Sequence, residues 1–336
     1  MSITAKELAK ILGLSEAAVS MALNGKPGVS TATRQRVLET AHNHSYDFTR
    51  LKKSSKTTKT IHYVIYRKYG AVLKVQHTAF FDTLTTGIEE HCKANGYKLV
   101  TTNIFEGPDV DKQLKRAITS DCIGILLLGT EMQKEDFFPF SYISLPIVVI
   151  DTFIDSTKMD CVLMNNEEGA YKATRFLIKK RQTQPGYLRS SYDMYNFEAR
   201  ADGFYKAIRN SGMSPSNSIV HRLSPSMEGA YADMTEILKS GDEIASCYFA
   251  DNDLIAAGAM KAFKDFGYEV PKDVGFVGFD NISMCTYIEP NLTTINVPIR
   301  YMAETAVKRL ISINDDDHYR PIKIEVNTNL IRRQSV

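Results

Sequence analysis

The residues of this 336-residue chain best suited to chemistry are recognition groups. Asp151, Asn252, Asp253 and Asp280 each close a short apolar, β-branched run. Carboxylate and amide oxygens accept hydrogen bonds from hydroxyls, and an amide also donates. In doubly wound folds such strand ends face the ligand crevice. A helix N-cap is the competing role, above all for Asn252 or Asp253 ahead of a helix starting at Leu254. Arg200 offers a planar fork of donors suited to paired hydroxyls or a carboxylate, although spacing alone favours an ordinary surface salt bridge. Phe80 and Phe81 open an amphipathic stretch, where one ring could stack on an apolar ligand face and the other fill the helix-to-sheet interface.

A second group lies near the N-terminus, where Glu16, Ala17, Ser20 and Met21 share one side of a short helix pattern. Glu16 can accept from cytosine N4, and Ala17 and Met21 can touch thymine methyls. The elements that would position them are legible. Thr4 and Glu7 form a capping-box pair ahead of Leu8, Ile11 and Leu12, and Gly13 ends that helix. Ser15 caps the second helix, whose Ala18, Val19, Ala22 and Leu23 face the first. Pro27 and Gly28 break the chain, and a third helix starts near Ser30 with Val37, Leu38 and Ala41 as its apolar face. Arg34 and Arg36 stand ready for phosphates. Residues 1–47 therefore predict a helix-turn-helix unit, the geometry that braces one helix in a DNA major groove. An ordinary helical hairpin is the alternative. Charge argues against it: residues 1–60 hold ten Lys or Arg against four Asp or Glu, a net of +6, while the remainder sums to −4. Concentrated basic charge is the footprint of phosphate binding.

Composition is that of a soluble chain, 43% hydrophobic and 24% charged, long enough for two or three domains. No apolar run approaches a membrane span and no secretory signal opens the chain, which predicts a cytoplasmic protein. Cys92, Cys122, Cys161, Cys247 and Cys285 have no paired spacing, so neither disulfides nor a metal site is expected, and no cofactor is called for. Residues 48–60 read as a basic linker, with Arg50, Leu51, Lys52 and Lys53 available to DNA.

From Ile61 onward, strand-like runs alternate with amphipathic helices, the form of a parallel sheet with crossover helices. Strands are expected at 61–66, 98–103, 124–128 and 147–150, with helices near 80–95 and 110–119. A second series has helices near 168–180, 198–211, 229–240 and 254–266 and strands near 186–189, 219–223, 246–249 and 275–279. Two such doubly wound units side by side create a cleft at their strand ends.

With these elements in order, the chain resembles the lac repressor and galactose repressor family of bacterial transcription regulators. The resemblance rests on Val19-Ser20 with Asn24 and Val29-Ser30, Phe80-Phe81 with Gly87-Ile88-Glu89-Glu90, and Pro146 to Asp151. It continues through Asn165-Asn166 before Gly169-Ala170, Arg200 before Gly203-Phe204, Ala250 to Asp253, Val270-Pro271 with Asp273-Val274, Val277 to Asp280, and Leu292-Thr293-Thr294. It implies a periplasmic-binding-protein-like core whose subdomains close on a small effector, usually a sugar, and a homodimer presenting two heads to a palindromic operator. It also implies an effector set of Phe80, Phe81, Asp151, Met164, Arg200, Asn252, Asp253 and Asp280, and a DNA-binding set that adds Thr4, Ser15, Asn24, Ser30 and Arg34. Three crossings between subdomains are expected near Cys161, Leu292 and Ile322. The first subdomain would then span 61–161 with 292–322, and the second 162–291 with 323–336.

The departures are specific. Met21 stands where relatives often carry a guanine-reading arginine. Thr49, Lys52 and Ser55 replace the linker's usual Asn, Ala and wedge Leu, so the linker binds by phosphate charge or uses Leu51 in a shifted register. Thr78-Ala79 replaces Asn-Pro, and the basic loop 67–78 is long enough to reach an anionic effector group, or is simply a solvated loop. Dinucleotide-binding, phosphate-loop, nucleophile-elbow and zinc-protease motifs are absent from the sequence, which argues against an enzyme. An effector-independent regulator and a cytoplasmic sugar binder on the same fold remain as alternatives.

Overall fold

The computed structural model describes residues 3–23, 28–44, 46, 59–68, 73, 79–155, 159–314 and 318–336. Two compact units divide the chain, residues 1–59 and 60–336. The first contains α1 (Ala5–Leu12), α2 (Glu16–Leu23) and α3 (Thr31–Asn43). The Thr4 hydroxyl oxygen accepts from the Glu7 N–H while the Glu7 carboxylate accepts from the Thr4 N–H at 2.8 Å, completing the capping box. Gly13 ends α1 at φ 65°, a left-handed conformation that favours glycine. Leu8, Val19, Ala22, Val37 and Ala41 form a small core shared by all three helices.

The second unit holds two six-stranded sheets. The first is built from β1 (Thr60–Arg67), β2 (Lys98–Phe105), β3 (Cys122–Leu128), β4 (Ile147–Ile150), β5 (Asp160–Met164) and β11 (Lys323–Val326). Its order is β2-β1-β3-β4-β5-β11, all parallel. The second contains β6 (Gly186–Ser190), β7 (Val220–Leu223), β8 (Cys247–Ala250), β9 (Gly275–Asp280), β10 (Thr293–Asn296) and β12 (Asn329–Ile331). Its order is β7-β6-β8-β9-β10-β12, and only β12 runs antiparallel to its neighbour. The two sheets thus repeat one topology, with β4 and β9 in equivalent positions. Helices α4 (Ala79–Ala94), α5 (Val110–Ala117) and α10 (Ile299–Ile313) flank the first sheet. Around the second are α6 (Asn166–Arg181), α7 (Tyr195–Asn210), α8 (Met227–Ser240) and α9 (Asp253–Asp265).

Every strand and helix read from the sequence is present, displaced by a few residues at most. The sequence reading lacked β5, β10, β11, β12 and α10, and this omission moves the crossings. The chain leaves the first sheet between Met164 and Asn166, returns between Asn296 and Ile299, and leaves again between Val326 and Asn329. Cys161 lies inside β5, and Leu292 and Ile322 immediately precede β10 and β11. Each crossing therefore falls beyond its expected residue, because a short strand completes its pairing before the chain departs. The core strand β1 also begins at Thr60. All five cysteines are buried.

Helices α6 and α7 approach closely at Gly203, where a Cβ would lie 2.2 Å from the Glu167 carbonyl oxygen. That backbone cannot yield as a flexible side chain would. Overpacking of this kind costs about 1–3 kcal/mol. Gly203→Ala should lower the stability of the second unit by at least about 2 kcal/mol in urea denaturation, and an unchanged midpoint would contradict the close approach.

Candidate functional site

In the N-terminal unit, Glu16, Ala17 and Ser20 are exposed on α2, and Met21 is half-buried against Gly28, where a Cβ would meet its sulfur at 3.3 Å. The remaining predicted DNA contacts divide. Thr4, Ser15 and Ser30 cap helices, accepting from the N–H groups of Glu7, Ala18 and Thr33 at 3.1 to 3.3 Å. Glu16 approaches Lys6 at 4.0 Å but keeps most of its surface in solvent. Arg34 is half-buried on α3. Arg36, expected to be available to phosphates, donates to the Leu12 carbonyl at 3.0 Å and so anchors α3 to the end of α1. Asn24, Arg50, Leu51, Lys52 and Lys53 lie outside the described residues.

In the larger unit, Phe80, Phe81, Asp151, Met164, Arg200, Asn252 and Asp280 line one cleft between the sheets. Phe80 and Phe81 meet edge to face at 5.1 Å; Phe80 is buried in the helix-to-sheet core and Phe81 is more exposed. Asn252 also caps α9, accepting from the Ile255 N–H at 2.8 Å, so the capping role and a place on the cleft wall coexist. Asp253 does not line the cleft. It is fully buried, accepting from the Thr294 hydroxyl at 2.5 Å and the Ile282 N–H at 2.9 Å, and it packs on Gly278 where no Cβ would fit. The first residue of α9 points into the sheet, whereas its cap faces the cleft.

Among the described residues Arg200 is the single cation lining the cleft, and it is 3% exposed. Its Nε donates to Asn166 Oδ1 at 2.8 Å, Nη1 to the Asp251 carbonyl and Nη2 to Asp280 Oδ1 at 3.4 Å. The guanidinium lies 3.8 Å from the centroid of the Phe279 ring, a cation–π contact. Asp151 and Asp280 end the equivalent strands β4 and β9, and both have positive φ, 67° and 109°. A non-glycine residue held there is strained and persists only where its surroundings fix it. The Asp151 carboxylate accepts from Thr130 Oγ1 at 2.6 Å and Asn196 Nδ2 at 3.0 Å. Asp251 accepts from the Tyr187 hydroxyl at 2.5 Å and the Ser190 N–H at 2.6 Å.

Three carboxylates thus surround one guanidinium. Burial pushes Asp151 and Asp251 each up to about 6, against the opposing pull of their hydrogen bonds and of Arg200. Burial raises Asp280 well above the usual carboxylate range; Arg200 opposes the rise and the neighbouring carboxylates add to it. The cleft holds a cavity of about 60 Å³, the space of a handful of waters. Arg67 donates to Asn103 at 2.7 Å and Lys68 pairs with Asp136 at 2.8 Å, while most of 69–78 lies outside the described residues.

Comparison with known proteins agrees with this geometry along the whole chain. Residues 174–336 match the model of a periplasmic binding protein-like domain. The repressor PurR of Aliivibrio salmonicida is 29% identical, covering 99% of this chain and 98% of its own, and GalR of Escherichia coli is 28% identical over 99% and 95%. Along nearly its full length the chain is thus similar to transcriptional regulators of the PurR and GalR kind. Solved relatives of lower identity share the fold. The regulator CelR in complex with cellobiose superposes at TM-score 0.72 with 21% identity over 99% of this chain and all of its own. The lac repressor dimer bound to operator and the anti-inducer ONPF does so at 0.72 with 18% identity over 100% and 99%.

Sequence reasoning missed four polar residues of the cleft region: Thr130, Asn166, Asn196 and Asp251. Asn196 sits one helical turn before Arg200, a spacing that could have revealed it. Thr130 and Asn166 act through partners distant in sequence, which no local pattern encodes.

Acids whose folded pKa is raised keep their protons where the unfolded chain has lost them. Their protonation therefore stabilises the fold fully below about pH 4, and that stability is lost as pH rises through about 6 at Asp151 and Asp251. The thermal midpoint should fall between pH 5 and pH 7.5. Asp280→Asn should raise it by at least about 2 °C at pH 7.5 and change it little at pH 5; calorimetry showing equal effects at both pH values would remove the charge-crowding account.

Proposed function

We propose that this protein is a cytoplasmic, homodimeric transcription repressor that binds operator DNA through its helix-turn-helix unit and a small polyhydroxylated effector, a sugar or related metabolite, in the cleft. The observation that carries this reading is the gathering of seven separately predicted residues from both sheets onto one cleft, in a chain that also bears the basic three-helix unit. Full-length similarity to PurR and GalR, both named as transcriptional regulators, supports it. Among the described residues no helix is long and apolar enough to cross a membrane.

In this reading Glu16, Ala17, Ser20 and Met21 face base edges, and the helix caps Ser15 and Ser30 orient their helices toward phosphates. The effector's hydroxyls meet Asp151, Asn252, Arg200 and Asp280, and its apolar face meets Phe81. Effector binding changes operator affinity only through different affinities for the open and closed cleft.

Selection from random DNA with the full-length protein should yield palindromic sites. Met21→Arg should add a guanine preference in each half-site, and Glu16→Ala should relax one position; unchanged preferences in both variants would contradict the assigned face of α2. A thermal-shift screen of monosaccharides and disaccharides should find a stabilising compound whose affinity falls at least tenfold in Arg200→Ala. A compound that stabilises both proteins equally would place binding elsewhere.

A further inference from the structure

Asn166 is the first residue of α6, just past the first crossing between sheets, and it is buried without lining the cleft. Its Oδ1 accepts from Arg200 Nε at 2.8 Å. Its Nδ2 donates to Asn196 Oδ1 at 2.9 Å and, more distantly, to the Met164 carbonyl at 3.4 Å. Asn196 in turn donates across the cleft to Asp151, reaching Oδ1 at 3.0 Å and the carbonyl at 2.9 Å.

All the links run in one sense. The guanidinium donates to the first amide, the first amide to the second, and the second to a carboxylate. Each bond polarises the next in the direction that strengthens it. Arg200 on α7 and Asp151 at the end of β4 thereby form an ion pair bridged by two amide side chains. Each link needs an acceptor and an N–H on the same short side chain, which asparagine provides; an aspartate accepts only, and a leucine does neither.

We infer that Asn166 is a positioning residue of the cleft, holding Arg200 in its ligand-facing pose and making the Asn196 contact with Asp151 depend on it. Its place beside the Met164–Asn166 crossing ties this relay to the backbone segment that joins the two sheets. The functional meaning rests on the cleft being the effector site, but the relay can be tested without an effector.

The test is side-chain NMR on the full-length protein with no added ligand, following Arg Nε–H and Asn Nδ2–H signals. Loss in Arg200→Lys and Asn196→Ala assigns the two resonances, and both should be protected from solvent exchange in the wild type. In Asn166→Leu both should exchange at least tenfold faster, with the backbone spectrum otherwise retained. Asn166→Asp keeps an acceptor for Arg200 but has no donor for Asn196, so Arg200 should stay protected while Asn196 loses protection. A general packing defect would not split the two signals this way. If Asn166→Leu does not fold, the Asp variant carries the test alone. Unprotected signals in the wild type, two protected signals in Asn166→Leu, or equal loss in both variants would overturn the inference. A sugar screen that finds nothing would leave the relay standing, and a failed relay would leave the effector reading standing.

Discussion

The burial of Arg200 among carboxylates is the constraint on which the cleft depends. A guanidinium removed from water is costly unless its donors are satisfied, and losing one partner of a buried pair typically costs about 3–5 kcal/mol. Here the donors reach Asn166, the Asp251 carbonyl and Asp280, and the ring of Phe279 covers one face. Those partners come from α6, the end of β8 and the end of β9. The arginine thus ties together the elements converging at one end of the second sheet. The excess of carboxylates makes the arrangement tense, since Asp151, Asp251 and Asp280 all hold protons more tightly than in water.

The duplicated topology explains where that tension is placed. Because β4 and β9 occupy equivalent positions in their sheets, Asp151 and Asp280 face the cleft from opposite sides, each at a positive φ. The cation belongs to one side only. Asn196, on the same helix as Arg200, reaches Asp151 through a hydrogen bond, so the contact across the cleft is electrostatic and set by a few side chains. Tyr195 extends the contact outward: its hydroxyl accepts from Lys323 at 3.2 Å, and its ring meets Phe153 at 5.9 Å.

Much of this was legible in the sequence where local pattern and local chemistry coincide. Thr4 with Glu7, Ser15 and Gly13 mark helix ends because capping involves residues three or four apart. The apolar runs ending in Asp151, Asn252 and Asp280 mark the cleft because a parallel sheet presents all its strand ends on one side. Asp253 was misplaced because period alone does not say which of two adjacent polar residues points inward, and the side chain packed on Gly278 is fixed by a strand more than twenty residues away. The structural contact of Arg36 was not legible because its partner, the Leu12 carbonyl, belongs to another helix. Strands β10, β11 and β12 were missed because each is short and mixes polar with apolar residues, whereas the equally short β4 is wholly apolar. The α10 pattern of Met302, Ala303, Ala306, Val307 and Leu310 has the helical spacing and was readable.

The same distinction separates the parts of the molecule that fix its class from those that fix its specificity. Capping pairs, sheet order and the Gly203 contact set the architecture, and they leave α2 free to present almost any side chain at Glu16, Ala17, Ser20 and Met21. Met21 shows what that freedom permits. It rests against Gly28, a residue at φ 109° with no side chain to displace it, so an unbranched thioether fits where a charged group would have to extend into solvent. A flexible apolar side chain at that point favours contact with a methyl group over a directional hydrogen bond. In the proposed DNA-binding role, the base preference at this position would follow from packing within the three-helix unit as well as from the residue's own chemistry.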